Sequence, residues 1–366
     1  MMPERPQPGR ATLDGEMVYR HLAVAFQSAA DECAAEVSTR FLTFAGRTAR
    51  LRIVGRAMAE RLSRPFAHLE VRDVPDREPA LKIDLWEGAS TGMSCEGCEP
   101  WPDPAMRAAI GRSSDGRWIS RRKAQSWIAF DRHEQRIVGW IGDSQRLTQY
   151  DLGRPLHSQL LLWHKDRGVH ALHGGLVARN GHGVLLGGPG GSGKSTVALT
   201  CLLAGFSYLA DDYVGLEAVA GGESYAGHSL YCSTHLEPEH LRLFPSLVPA
   251  ALPGSPPRED KSLIFLSQVP LARLDSSTAI RALALPRVVH ADATKWRRAA
   301  KTEAVLRLAP SSMLMIPYVA IAEGLRELSR LVERVPAYWL ELGRDLSEIP
   351  QRVEDLLAHA TSSAAG

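Results

Sequence analysis

Apolar and polar positions along the chain follow two different periods, and the switches between them mark out the elements. Residues 17–26 read as a strand, residues 50–54 as another, and residues 56–69 as a helix interrupted near Pro65. Leu81-Lys82-Ile83-Asp84-Leu85-Trp86 alternates in the manner of a half-buried strand, and residues 87–112 read as a long loop. Strands follow around Trp118, over 126–130 and over 137–141, with a hairpin turn at 131–135, and residues 157–165 read as a helix. Two apolar runs then flank Asn180-Gly181, a short-range hairpin signal that makes the second run antiparallel to the first. Beyond it come a helix over 196–204 stopped by Gly205, a strand over 206–210, and core strands over 263–266 and 282–285. Amphipathic helices over 303–308 and 319–332, a strand over 337–342 and a helix over 349–359 complete the pattern. The layout predicts an α/β domain over 151–366, a separate N-terminal α+β domain over 15–150, and a Pro/Arg/Gly-rich disordered tail over 1–14.

The step from the second hairpin run into the helix carries the chemistry. Gly188-Pro189-Gly190-Gly191-Ser192-Gly193-Lys194-Ser195 fits G-x-x-x-x-G-K-[ST] at every constrained position, with Thr196 opening the helix. Glycines let successive backbone N–H groups turn inward on phosphates. The lysine reaches the β/γ-phosphates, and the serine hydroxyl can ligate Mg²⁺. A helix N-terminus aimed at the same anion adds to the attraction. These residues predict a nucleoside triphosphate site.

Asp211-Asp212 closes the apolar run that follows. Adjacent carboxylates at a strand end face opposite ways, so one can serve the metal while the other takes a proton from an attacking hydroxyl. An Asp-Asp pair on its own is more often a solvated turn. His173, at the start of the hairpin, folds back toward the phosphate site, where a lone histidine would otherwise be read as structural.

Taken together, His173-Gly174 with its hairpin, the glycine loop and the string from Gly205 to Asp212 resemble the catalytic core of the HPr kinase/phosphorylase family, itself distantly related to phosphoenolpyruvate carboxykinase. The resemblance implies active-site roles for His173 and Lys194, proton acceptance by Asp212, magnesium on Ser195, and ATP as phosphoryl donor. It also implies a glutamate ligand to magnesium in a Leu-Glu step. Leu236-Glu237 falls at about that distance, but Pro238-Glu239-His240 follows in place of the family's glycine-rich signature. The layout is similar to the divergent members found with lasso-peptide and other peptide-modification clusters, which phosphorylate a serine of a precursor peptide. That implies a peptide or small-protein acceptor. Every phosphate-handling candidate lies between His173 and Arg287, so residues 15–150 are expected to select or hold the acceptor.

Composition narrows the field further. With 366 residues, 45% hydrophobic and 23% charged, the chain has ample core for two domains. A net charge of +2 gives no reason to expect nucleic acid or an anionic membrane as partner. No signal peptide opens the chain, and the apolar run over 313–322 contains Pro317 and is too short for a bilayer, so a cytoplasmic protein is expected, with a homo-oligomer left open. Five cysteines at irregular spacings argue against a disulfide framework, and Cys95-Glu96-Gly97-Cys98 lacks the second pair of a zinc site, so a plain loop is expected. Residues 249–260 form a candidate lid, from which Arg258, or Lys261 just after it, could reach phosphate. Arg287 could stabilise transferring charge, and the basic cluster Lys295-Trp296-Arg297-Arg298 could dock an acidic peptide or simply be a solvated helix face.

The reading is an ATP- and Mg²⁺-dependent kinase acting on a hydroxyl. Asp212 accepts the proton; Lys194 and Gly188, Gly190, Gly191, Ser192 and Gly193 hold phosphate. Ser195 and Asp211, with Glu237 as a further candidate, place the metal, and His173 orients Asp212 or touches phosphate. The open alternatives are a small-molecule kinase on the same core, an ATPase or regulatory nucleotide-binding protein, and a non-catalytic scaffold.

Overall fold

The computed structural model describes residues 14–73, 76–95, 97, 109–252, 261–289, 291–315 and 321–363. It is a mixed α/β protein in two compact units. The first gathers residues through Phe41, Thr48–Arg61 and Arg72–Leu147, and the second gathers Leu42–Arg47, Leu62–Val71 and the chain from Thr148 onward.

In the first unit, strands Arg47–Val54, Leu81–Glu87 and Arg136–Ile141 run parallel, and Arg136–Ile141 continues antiparallel through Ser126–Asp131 and Trp118–Lys123 to Ala109–Arg112. The buried Asp84 carboxylate sits at the middle of the sheet, 2.8 Å from Arg52 Nε and 2.7 Å from Arg136 Nε. Residues 17–26 are not the expected strand. They lie in a helix, Gly15–Glu32, whose Asp14 cap accepts a hydrogen bond from the Glu16 N–H. Val18, Leu22, Phe26 and Ala29 recur at helical spacing and are buried with Trp86, Trp127 and Trp140. The run 17–26 also satisfies a strand pattern, and packing on the sheet decides in favour of the helix. Within the expected loop, Gly88–Thr91 is a short helix and Ala109–Arg112 a strand. Cys95 is disulfide-bonded, which departs from the plain loop expected of the C-x-x-C step, while Cys98 lies outside the described residues.

In the second unit, the hairpin forms as the Asn180-Gly181 signal requires. Both residues have positive φ (53° and 77°), and Val169–Arg179 pairs antiparallel with His182–Gly187. Val169–Arg179 also pairs antiparallel with Ser207–Val219, which pairs with Ser224–His228, which pairs with Ser277–Val288. Ser277–Val288 returns parallel to His182–Gly187, so five strands close into a ring. Ala337–Leu342 extends the sheet parallel to Ser277–Val288. Helices Lys194–Leu203 and Ile349–Ser363 bury one side, around Val184, Leu186, Val197, Leu340 and Leu356. Lys301–Met315 and Ile321–Arg334 bury the other, around Leu185, Leu283, Leu285, Leu308 and Leu331. The basic cluster at Lys295–Arg298 is a strand beside Ala337–Leu342, not a helix face. Among the described residues, no helix is long and apolar enough to cross a membrane.

Candidate active site

The glycine loop leaves a strand whose Val184, Leu185 and Leu186 are fully buried and enters the helix Lys194–Leu203. Gly193, the residue before that helix, has φ +102°, and a Cβ there would lie 2.4 Å from Leu342 Cδ1. Backbone conformation and close packing both demand glycine. We expect Gly193→Ala to distort the loop and to weaken triphosphate binding by at least ~10-fold while the fold persists. Calorimetric titration with Mg·ATP checks this, and unchanged affinity would contradict it.

Lys194 is largely buried. Its ammonium donates to Gly188 O at 2.9 Å and Pro189 O at 3.0 Å, lying back over its own loop. Burial lowers its pKa from the usual lysine range, and Asp211 acts against that shift. Ser192 Oγ is buried with no hydrogen-bond partner among the described residues. The Thr196 hydroxyl is 2.7 Å from His240 Nε2.

The strand Ser207–Val219 is longer than expected, so Asp211-Asp212 lies inside it rather than at its end. Its neighbour Val169–Arg179 places Gly175 opposite Asp211, Gly174 opposite Asp212 and His173 opposite Tyr213. A Cβ at Gly174 would lie 2.6 Å from the Leu186 carbonyl, so the hairpin can close at this level only with glycine there. Asp211 is buried. Its Oδ2 accepts from Thr234 Oγ1 at 2.6 Å. Burial raises its pKa, and the Thr234 hydrogen bond, then the nearby Ser195 side chain, Arg154 and Lys194, pull it back. Asp212 has a different environment. It is ion-paired to Arg154, whose Nη2 is also 3.0 Å from His235 Nδ1. The Arg154 guanidinium lies 4.8 Å from the Tyr150 ring centroid and 5.6 Å from that of Tyr213.

His173 is buried against Tyr213, with ring centroids 5.5 Å apart, and its Nδ1 has no hydrogen-bond partner among the described residues. Burial, then Lys194 and Arg154, push its pKa down to about 4, so the ring is neutral at neutral pH. No hydrogen bond joins it to Asp212 among the described residues. Glu237 does not join Ser195 and Asp211. It is mostly exposed, with Lys261 Nζ 3.6 Å away. Among the described residues, no three His, Cys, Asp or Glu side chains cluster as metal ligands. Arg287, expected to face transferring charge, is held by Glu341 and lies over the Trp339 ring. The lid residues 253–260, Arg258 among them, lie outside the described residues.

The residues brought together at one place are thus the glycine loop, Lys194, Ser195, Asp211 and Asp212, with His173 behind them. Arg154, Thr234, His235 and His240 belong to the same cluster and carry no local sequence signal. They come from segments more than 20 residues from either motif, and only the fold gathers them.

Buried neutral histidines make the second unit acid-sensitive. Burial pushes His164 and His235 down to about 3 and His68 and His173 down to about 4, from an ordinary 6.5. Groups with lowered pKa bind more protons when unfolded, so their contribution is intact above pH 6.5 and falls as pH drops through 6.5 toward 3–4. Each costs up to ~1.4 kcal/mol per pH unit in that window. The raised Asp211 acts in the opposite sense but is a single group. We expect urea midpoints to fall steeply between pH 7 and pH 5; a flat profile would contradict the neutral, buried state of these rings.

No protein-family profile matches the chain, and no curated protein does. Among solved structures, it is similar to the Hpr(Ser) kinase/phosphatase from Coxiella burnetii, at 12% identity and a TM-score of 0.28, over 54% of this chain and 99% of that one. The functional reading therefore rests on this chain's own residues.

Proposed function

We propose that this protein is a kinase that transfers the γ-phosphoryl group of ATP to a hydroxyl, with a serine of a peptide or small protein as acceptor. The observation that carries the proposal is the division of labour between two adjacent carboxylates. Asp211 is buried and held by Thr234, facing the glycine-loop lysine whose charge acts on it, while Asp212 stands apart on Arg154. A site that only bound nucleotide would need the first and not the second, and a hydroxyl acceptor gives the second a proton to take.

In this reading, backbone N–H groups of the loop and the Lys194 ammonium hold the β- and γ-phosphates. Lys194 reaches them by giving up its hydrogen bonds to Gly188 and Pro189. Magnesium takes hard oxygen ligands, and the Ser195 hydroxyl and the Asp211 carboxylate, whose pKa Ser195 lowers, form a donor set that fits it. When bound, the ion supplies charge neutralisation on the β- and γ-oxygens. Thr234 fixes the Asp211 rotamer. Asp212 accepts the acceptor's proton, and Arg154 holds that carboxylate in place. Neutral His173 adds bulk and a ring nitrogen without adding charge. Phosphoryl transfer needs positioning and charge stabilisation more than covalent participation, which suits this set. The N-terminal unit, with no cluster of this kind among its described residues, serves acceptor recognition in this reading.

Separating the two aspartates tests the assignment. Asp211→Asn is expected to raise the Mg²⁺ concentration needed for half-maximal turnover by ~10-fold or more, because it weakens an anionic ligand. An unchanged metal requirement would remove Asp211 from the metal site.

A further inference from the structure

The chain after Leu236-Glu237 brings an imidazole, in place of a carboxylate, to the start of the loop helix. Pro238 opens a short helix, Pro238–Leu241, directly after Glu237. Glu237 is left mostly exposed beside Lys261, while His240 Nε2 lies 2.7 Å from Thr196 Oγ1. The imidazole is held from behind. It tilts against the Phe244 ring, with centroids 5.8 Å apart, and Phe244 is buried with Leu247 and with Val197 of the loop helix. The Leu243 N–H donates to the His240 carbonyl and the Phe244 N–H to that of Leu241, which fixes the turn between the two rings.

Thr196 stands where the loop helix has donors to spare. Gly193 caps Lys194–Leu203 without a side-chain hydrogen bond, and the Val197 N–H is the one that reaches back to the Gly193 carbonyl. The N–H groups of Lys194, Ser195 and Thr196 therefore have no acceptor within the helix. Beside them Ser192 Oγ, on a residue only 6% exposed, has no partner among the described residues. Unused donors gathered in this way call for an anion. Lys194 serves the β- and γ-phosphates and the Ser195 hydroxyl the metal, which leaves Thr196, one residue further along, for the α-phosphate. A threonine hydroxyl has one hydrogen and two lone pairs. Spent on Nε2, that hydrogen is lost to the phosphate. If Nε2 carries the hydrogen of their shared bond, the hydroxyl hydrogen stays available.

We propose that His240 is a positioning residue for the nucleotide: its Nε2–H donates to Thr196 Oγ1 and turns the Thr196 hydroxyl hydrogen onto an α-phosphate oxygen. This rests on the nucleotide site of the kinase reading above and not on the acceptor. The Thr196 N–H and O–H then grip one phosphate together, and a hydrogen bond to a charged oxygen is among the stronger kinds. The α-phosphate is common to ADP and ATP and takes no part in the transfer. The pair therefore holds substrate and product alike, in contrast to Lys194, whose partners include the transferred group.

The test needs no acceptor. Calorimetric titration of the full chain measures Mg·ADP, Mg·ATP and the two diastereomers of Mg·ATP that carry sulfur on the α-phosphorus. Wild type is compared with Thr196→Val, which keeps the shape without the hydroxyl, with His240→Phe, which keeps a ring without nitrogen, with the two combined, and with His240→Gln, whose amide can still donate. Thermal melts confirm folding. Thr196→Val should weaken Mg·ADP and Mg·ATP by a similar ~10-fold. His240→Phe should cost most of that, and the combined variant no more than Thr196→Val alone. Wild type should bind one sulfur diastereomer at least ~3-fold more weakly than the other, because sulfur is the poorer acceptor. Thr196→Val and His240→Phe should lose that preference, and His240→Gln should keep both affinity and preference. The proposal is overturned if His240→Phe leaves affinity unchanged, if its loss adds to that of Thr196→Val, or if His240→Gln behaves as His240→Phe. It is equally overturned if the preference is absent from wild type or survives in both hydroxyl-blind variants, which would leave His240 to packing. Should His240→Phe fail to fold, His240→Ala takes its place in the comparison. A wild type that shows all of this yet phosphorylates no hydroxyl would overturn the kinase reading and leave the proposal standing.

Discussion

Asp212→Asn should abolish phosphoryl transfer while leaving the affinity for Mg·ATP close to that of wild type. Among the described residues no hydrogen bond or ion pair joins its carboxylate to the glycine loop; its partner is Arg154. Asparagine keeps the shape and can still accept a hydrogen bond from Arg154, so the nucleotide site should persist. What it loses is the proton acceptor, worth on the order of 10²–10⁴ in rate for general base catalysis. The split between turnover and affinity is the informative part. A parallel loss of both would mean that Asp212 serves the metal or the phosphates instead.

Lys194→Ala should have the largest effect on binding. The ammonium is buried and, among the described residues, bonded to the loop carbonyls of Gly188 and Pro189, and Asp211 is the acidic group whose charge acts on it. Alanine removes the one lysine of the loop. Losing a charge-assisted contact of roughly 1.5–3 kcal/mol lowers triphosphate affinity by about 10- to 150-fold. Turnover should fall further, because charge on the transferring group is greatest in transit. The protein should stay folded, since the lysine's hydrogen bonds hold only its own loop. Nucleotide titration together with initial rates measures both effects, and unchanged turnover would remove the loop from the chemistry.

What could be read from the sequence follows the range of the interactions involved. The glycine loop is legible because its phosphate-binding geometry is encoded in eight consecutive residues. The hairpin before it is legible because Asn180-Gly181 sets a turn that needs positive φ twice. The helix at Gly15–Glu32 is not, because its buried positions also fit a strand until the sheet beneath selects the helical face. The surroundings of the two aspartates are less legible still. Arg154 sits at the end of the short helix Gln149–Gly153, and Thr234 on a separate three-stranded sheet. Each meets an aspartate through tertiary contact alone. Arg287 shows the converse: a cation at a suggestive strand end is neutralised by Glu341 from the adjacent strand, which no local pattern announces.

The central claim is that this one cluster moves a phosphoryl group onto a hydroxyl. Incubation of the wild-type protein with γ-labelled ATP, Mg²⁺ and an array of serine-bearing peptides, read by label and by mass, tests it most directly. The account predicts phosphoserine on a subset of peptides, lost in both Asp212→Asn and Lys194→Ala, with no label moved when Mg²⁺ is removed. Label transferred equally by wild type and Asp212→Asn, or wild type that binds Mg·ATP yet releases only inorganic phosphate with every hydroxyl offered, would contradict it.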